Sequence, residues 1–147
     1  VYKRQAQQIA LGSLLILVTT AVHGFCTLLA LTTLRKVRRW FHWEYERLTR
    51  GTLLVSSLVL LLFLASLLEA SIWAYVYLAV GAIEDLEAAV YFSTVTFTTL
   101  GYGDVTLGPD WRLLASFEAA NGTMMFGWST SLVVAYLQRM TPHRSDS

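Results

Sequence analysis

The sequence predicts an all-α membrane protein with three transmembrane helices and one short re-entrant helix. Composition, the placement of charge and one glycine-interrupted segment carry that expectation. Of the 147 residues, 55% are hydrophobic and only 14% are charged, against ~25% charged in soluble domains. The charges also avoid three long stretches: none lies between Arg4 and Arg35, only Glu69 between Arg50 and Glu84, and only Glu118 between Arg112 and Arg139. Each stretch exceeds the ~20 apolar residues that a spanning helix needs. With their connections they use nearly all of residues 1–147 as a single membrane domain, leaving no room for a soluble domain of ordinary size.

The first span is expected over 8–34, where Leu14, Leu15, Ile16, Leu17 and Val18 are followed by Thr19, Thr20, His23 and Thr27. It is longer than a signal-peptide core of ~7–15 residues, so it reads as a retained helix. Cys26 lies inside it and is the only cysteine. That excludes an intrachain disulfide and a multi-cysteine metal site, and predicts a small buried apolar side chain. Residues 35–50 combine Arg35, Lys36, Arg38, Arg39, Arg47 and Arg50 with Trp40 and Trp43. Basic residues beside tryptophans mark a cytoplasmic interface and suit anionic lipid. The N-terminus is then extracytoplasmic and the C-terminus cytoplasmic. These arginines lie between spans and not within one, so no voltage-sensing helix is expected.

The second span is expected over 51–83, with Trp73, Tyr75 and Tyr77 as markers of the outer interface. A break at Gly81 and the acids Glu84, Asp85 and Glu87 then announce a helix start, where carboxylates favour the positive end of the dipole. The helix predicted over 85–98 is too short to span. Residues 99–104 after it hold Gly101 and Gly103, and the third span follows over 111–139, with a tail at 140–147. Irregular backbone at membrane depth survives only where it is covered by protein or lines a watery cavity.

Thr98, Thr99, Leu100, Gly101, Tyr102, Gly103 and Asp104 together resemble the Thr-Val-Gly-Tyr-Gly-Asp signature of the potassium-channel family. The resemblance covers roughly residues 84–136. It implies that the carbonyls of Thr99, Leu100, Gly101 and Tyr102, with the Thr99 hydroxyl, replace the water around K⁺, and that Gly103 completes the filter. One loop supplies a quarter of such a ring, so a homotetramer is implied. Tyr91 and Phe92 fall where the family's pore helix commonly carries a tryptophan pair, and Gly122 matches its inner-helix hinge. Close packing is an equal reading of Gly122, since small residues recur at membrane helix contacts. Leu100 replaces the usual valine but keeps the carbonyl. Val95 stands where some relatives place a glutamate behind the filter, which leaves Tyr91, Trp111 or water as partners for Asp104. A small bacterial or archaeal cell-membrane channel with one additional N-terminal helix is the implied type.

Polar residues inside spans are expensive and tend to be functional. Glu118, about two turns into the third span, is expected to support the filter from behind or to be a protonated packing residue. His23 and Glu69 suggest a proton-sensitive pair. Counting residues from the span ends separates them by roughly 10 Å in depth, however, and a hydrogen-bonded packing histidine is the alternative. On the outer side Glu84, Asp85, Glu87, Asp104 and Asp110 are countered chiefly by Arg112, so four copies would concentrate cations at the mouth. The alternative there is helix capping and solvated loops.

The net charge of +1, with basic residues confined to one segment, gives no nucleic-acid footprint. No metal-ligand spacing, nucleophile-base set or phosphate-binding loop points to an enzyme or a cofactor. Passive K⁺ conduction is the expected function. A weakly selective cation channel and a non-conducting membrane subunit are the alternatives.

Overall fold

The computed structural model describes residues 2–40 and 47–140. Residues 41–46, which hold part of the basic and aromatic segment, and the tail 141–147 lie outside the described residues. Four helices follow in order: α1 Tyr2–Trp40, α2 Arg47–Ala79, α3 Leu86–Phe97 and α4 Arg112–Met140. The 39 residues of α1 extend beyond the expected 8–34 at both ends and reach roughly 58 Å at ~1.5 Å per residue.

Helix α2 stops before the expected 83 because the chain turns at Gly81. Its φ of +69° allows the Ala82 amide to bond to the Tyr77 carbonyl at 2.8 Å and the Gly81 amide to the Leu78 carbonyl at 3.0 Å. That pair of bonds is a glycine C-terminal cap. Asp85 then caps α3: its backbone is extended and its carboxylate accepts the Ala88 amide at 2.8 Å, satisfying one of the helix's orphan donors.

Two stretches are long and apolar enough to cross a membrane, Lys3–Val37 and Gly51–Ala79, with mean hydropathies of 2.2 and 2.4. Only 28% of each is buried, the reverse of a core helix in a water-soluble protein. Three spans were expected, and α4 falls short on hydropathy, not on length. It carries Glu118, Asn121, Thr123, Ser129, Thr130 and Ser131, polar groups that need partners or water.

Helices α1 and α3 each pack against both α2 and α4, and not against each other. Along each long helix the contacts are layered. At one end Leu15, Trp73, Tyr77, Phe92, Phe97 and Leu114 form an apolar cluster. At the other, Ala30, Leu34, Leu54, Leu58 and Leu62 form a second, backed by Leu132 and Tyr136. Between them lie the buried polar residues Thr19, His23, Thr27, Ser66, Glu69 and Asn121.

Three sequence expectations change here. Trp73 and Tyr77 are fully buried and not interfacial, leaving Tyr75, 72% exposed, on the surface; Glu69, Trp73 and Tyr77 recur every fourth residue and so share the packed face. Cys26 is half-buried, because it lies on the flank of the stripe made by Thr19, His23 and Thr27. Asp110 pairs with Arg4 of α1 and not with Arg112.

Candidate functional site

The loop after α3 is folded back on the end of that helix. The amides of Leu100 and Gly101 both bond to the Val95 carbonyl, at 3.0 and 3.2 Å, and the Thr99 amide to the Thr96 carbonyl at 2.9 Å. With the amides turned inward, the carbonyls of Thr99, Leu100, Gly101 and Tyr102 accept no hydrogen bond among the described residues.

Thr99, Gly101 and Gly103 have φ of +61°, +53° and +79°, so left-handed residues alternate with ordinary ones. Successive peptide groups of a plain strand turn to opposite sides. Reversing the hand at every second residue removes that alternation and brings successive carbonyls to one side. A Cβ on Gly101 or Gly103 would meet nothing within 4 Å, so glycine is needed there for backbone conformation alone. Thr99 adopts the same region with a side chain, at a cost of order 1–3 kcal/mol, which the three inward amide bonds help to offset. Leu100 and Tyr102 stand 55% and 68% exposed on the single chain.

Asp104 follows the loop, and its carboxylate accepts the Tyr91 hydroxyl at 2.7 Å. That bond, with help from the amides of Asp104 and Val105, holds the Asp104 carboxyl below its ordinary range. Accepting as partner, Asp104 pushes the Tyr91 hydroxyl up. Trp111 is half-buried against the apolar cluster and makes no bond to Asp104 among the described residues.

Glu118 is fully buried behind α3. It accepts the Tyr77 hydroxyl of α2 at 2.6 Å and is bonded to the Ser93 hydroxyl of α3. Ser93 also lies 2.5 Å from the Ala70 carbonyl. Glu118 makes no hydrogen bond to residues 99–103 among the described residues; it ties the short helix to α2 and α4. Tyr77 and Ser93 were not legible as partners. The signal was present in the spacing Ala89, Ser93, Phe97 on the buried face of α3.

Gly122 sits where α4 crosses the end of α3. A Cβ there would lie 1.9 Å from the Phe97 carbonyl oxygen, so close backbone approach requires glycine, and α4 runs unbroken through it. At the start of α4, Gln8 of α1 accepts the amides of Leu113 and Leu114 at 3.1 and 3.2 Å. Sequence reasoning missed this cap.

Residues 54–139, more than half of the chain, match the model of a family described as ion channel. Searches of curated proteins and of solved structures return no match. The matched residues begin in α2 and end in α4, with α1 preceding them. The short helix, the folded-back loop and the Glu118 tie all fall inside that match, and the chain belongs to the ion channel family, membrane proteins that transport ions without enzymatic chemistry.

Proposed function

We propose that this chain is one subunit of a homotetrameric, potassium-selective channel, with Thr99, Leu100, Gly101, Tyr102 and Gly103 as its filter. The observation that supports this most is the loop backbone: inward amides, left-handed residues at alternate positions and the Leu-Gly-Tyr-Gly-Asp sequence. Four such loops around an axis would offer K⁺ successive rings of carbonyls in place of its hydration shell. Thr99 adds its hydroxyl. Tyr91 and Asp104 brace the outer end of the filter, Trp111 packs beside it, and Glu118 supports it through α3.

The exposed face of α4, with Thr123, Thr130 and Ser131, lines the conduction path below the filter. Its low hydropathy supports that placement. Gly122 serves the contact with Phe97, and this favours packing over a hinge.

The Arg4–Asp110 pair and the Gln8 cap place the start of α1 on the filter's side. The positive-inside rule then makes that side extracytoplasmic and the C-terminus cytoplasmic. Arg35 and Lys36, at the opposite end of α1, would meet anionic lipid there. A bacterial or archaeal cell membrane is the setting the resemblance implies.

The test is the reversal potential of the purified protein in a planar bilayer with K⁺ on one side and Na⁺ on the other. A value near the K⁺ equilibrium potential, abolished in Gly101→Ala, is expected. A value near zero would establish a weakly selective pore, and silence a non-conducting subunit.

A further inference from the structure

Between the two apolar clusters the three long helices meet at a polar layer that conduction does not use. His23 of α1 is fully buried, and its Nδ1 lies 2.7 Å from Oε1 of Glu69 on α2, equally buried. Its Nε2 lies 3.2 Å from the Ser129 hydroxyl on α4. Trp128 of α4 meets the ring edge-on, with centroids 5.6 Å apart. One imidazole thus joins three helices. Nearby along those helices, Thr27 Oγ1, Glu69 Oε2, Trp73 Nε1 and Asn121 Oδ1 are buried without a hydrogen-bond partner among the described residues.

We propose that His23 and Glu69 form a proton-binding clasp that holds α4 to α1 and α2 when loaded and releases it when the proton leaves. With the proton bound, the imidazolium donates Nδ1–H to Glu69 and Nε2–H to Ser129, and the two charges of the pair offset each other. When the proton leaves, Nδ1–H stays with the Glu69 carboxylate and Nε2 becomes an acceptor. Ser129 must then turn its hydroxyl to donate to the ring. It competes with a carbonyl one turn back on its own helix, the bond that Thr123 and Ser131 both make. The pair is also left with a net negative charge beside an unpartnered Glu69 oxygen. That is costly away from water and is relieved when the helices part and water enters.

No other charge faces the pair among the described residues. Helix α1 has none between Arg4 and Arg35, and Glu69 is the only one on α2 between Arg50 and Glu84. On α4 the only one between Arg112 and Arg139 is Glu118, which is occupied by Tyr77 and Ser93. The remaining titratable side chains on these stretches are Cys26, Tyr75, Tyr77 and Tyr136. Helix α3 does not touch α1.

The clasp rests on the channel reading for its electrical readout alone. Open probability is measured from about pH 5.5 to about pH 8.5, the range in which histidine side chains change charge. Infrared difference spectra of the purified protein follow the His23 imidazolium ring band, identified by its loss in H23A, over the same range, since Glu69 stays ionised in both states. Wild type is expected to change its open probability about tenfold, within the usual range of coupling between sites. E69Q takes away the counter-charge of the imidazolium and removes both the pH dependence and the imidazolium band. S129A, which keeps the titrating pair, flattens the electrical profile and leaves the band. A wild-type profile that survives E69Q, or a conducting channel indifferent to pH, overturns the clasp. A silent protein whose His23 imidazolium band still changes with pH sinks the conduction reading and supports the clasp.

Discussion

At Gly122 two readings predict opposite signs. As a hinge free of neighbours, alanine would improve the helix by about 0.5–1 kcal/mol. The overlap of its Cβ with the Phe97 carbonyl instead costs about 1–3 kcal/mol or more as the core shifts. Gly122→Ala is therefore expected to lower the melting temperature of the detergent-purified protein, and a raised one would restore the hinge. The Tyr91 and Asp104 bond gives a prediction in pH. The Asp104 pKa is lowered in the folded protein, so its contribution is present above the ordinary carboxylate value of ~3.9 and lost as pH falls through the lower folded one. The Tyr91 pKa is raised, so its contribution is present below ~10 and lost as pH rises through the higher folded value. Between these limits neither group changes state. In the E69Q background, where the clasp does not respond to pH, decay of current during sustained opening should be flat from about pH 5 to about pH 9 and faster in Tyr91→Phe at every pH; a decay rate that titrates inside the window would break the assignment. Asp104 was legible as a group needing a partner, and the structure selects Tyr91 from the three candidates.

Helix α1 lies outside the matched residues, yet it is bound to α4 along its length. Gln8 caps α4's first amides, Gly12 leaves no room for a Cβ against the Phe117 ring at 2.7 Å, and Thr19 accepts the Asn121 amide at 2.7 Å. Gln8→Ala takes the partner from the part-buried Leu113 amide and leaves the Leu114 amide only its bond to the Trp111 carbonyl, and should cost about 1–2 kcal/mol, as loss of a helix cap does. Asp110→Asn, which breaks only a solvent-exposed ion pair, should cost less than about 1 kcal/mol. Thermal melts of both variants check the order, and equal losses would show that α1 is held by charge instead of by the cap. The first two spans were legible because charge and hydropathy report them directly. Their relative depth was not: counting from expected ends placed His23 and Glu69 roughly 10 Å apart, whereas they are bonded. The estimate assumed upright helices starting at the expected ends, but α1 begins at Tyr2 and α2 ends at Ala79, and either shift changes the register. The polarity of α4 was visible in sequence as well, and Ser93 shares a face of α3 with Ala89 and Phe97, but the pairing of Ser93 and Tyr77 with Glu118 runs between helices and is not set by local spacing.

A single chain leaves Leu100 and Tyr102 of the loop exposed, side chains that the filter reading covers with neighbouring copies, so crosslinking in mild detergent should saturate at four chains. That assembly would also multiply charge at the outer mouth. The structure divides the five outer acids into two groups. Asp85 caps α3, Asp104 is bonded to Tyr91 and Asp110 is paired with Arg4. Glu84 and Glu87 are exposed and make no ion pair among the described residues. A structural role therefore suits the first three, through a helix cap, a hydrogen bond and an ion pair, and the cation-concentrating reading is left to the last two. A fourfold ring of these two carboxylates would raise local K⁺ only while its field reaches the axis. The Debye length is ~30 Å at 0.01 M salt and ~3 Å at 1 M. Glu84→Gln with Glu87→Gln should thus lower single-channel conductance roughly two- to threefold in ~0.01 M K⁺, where focused fields act, and leave it unchanged near 1 M. Equal conductance at low salt would assign these carboxylates to solvation alone, and an equal loss at both salts would mean that the substitutions had disturbed α3 and the filter instead of the field.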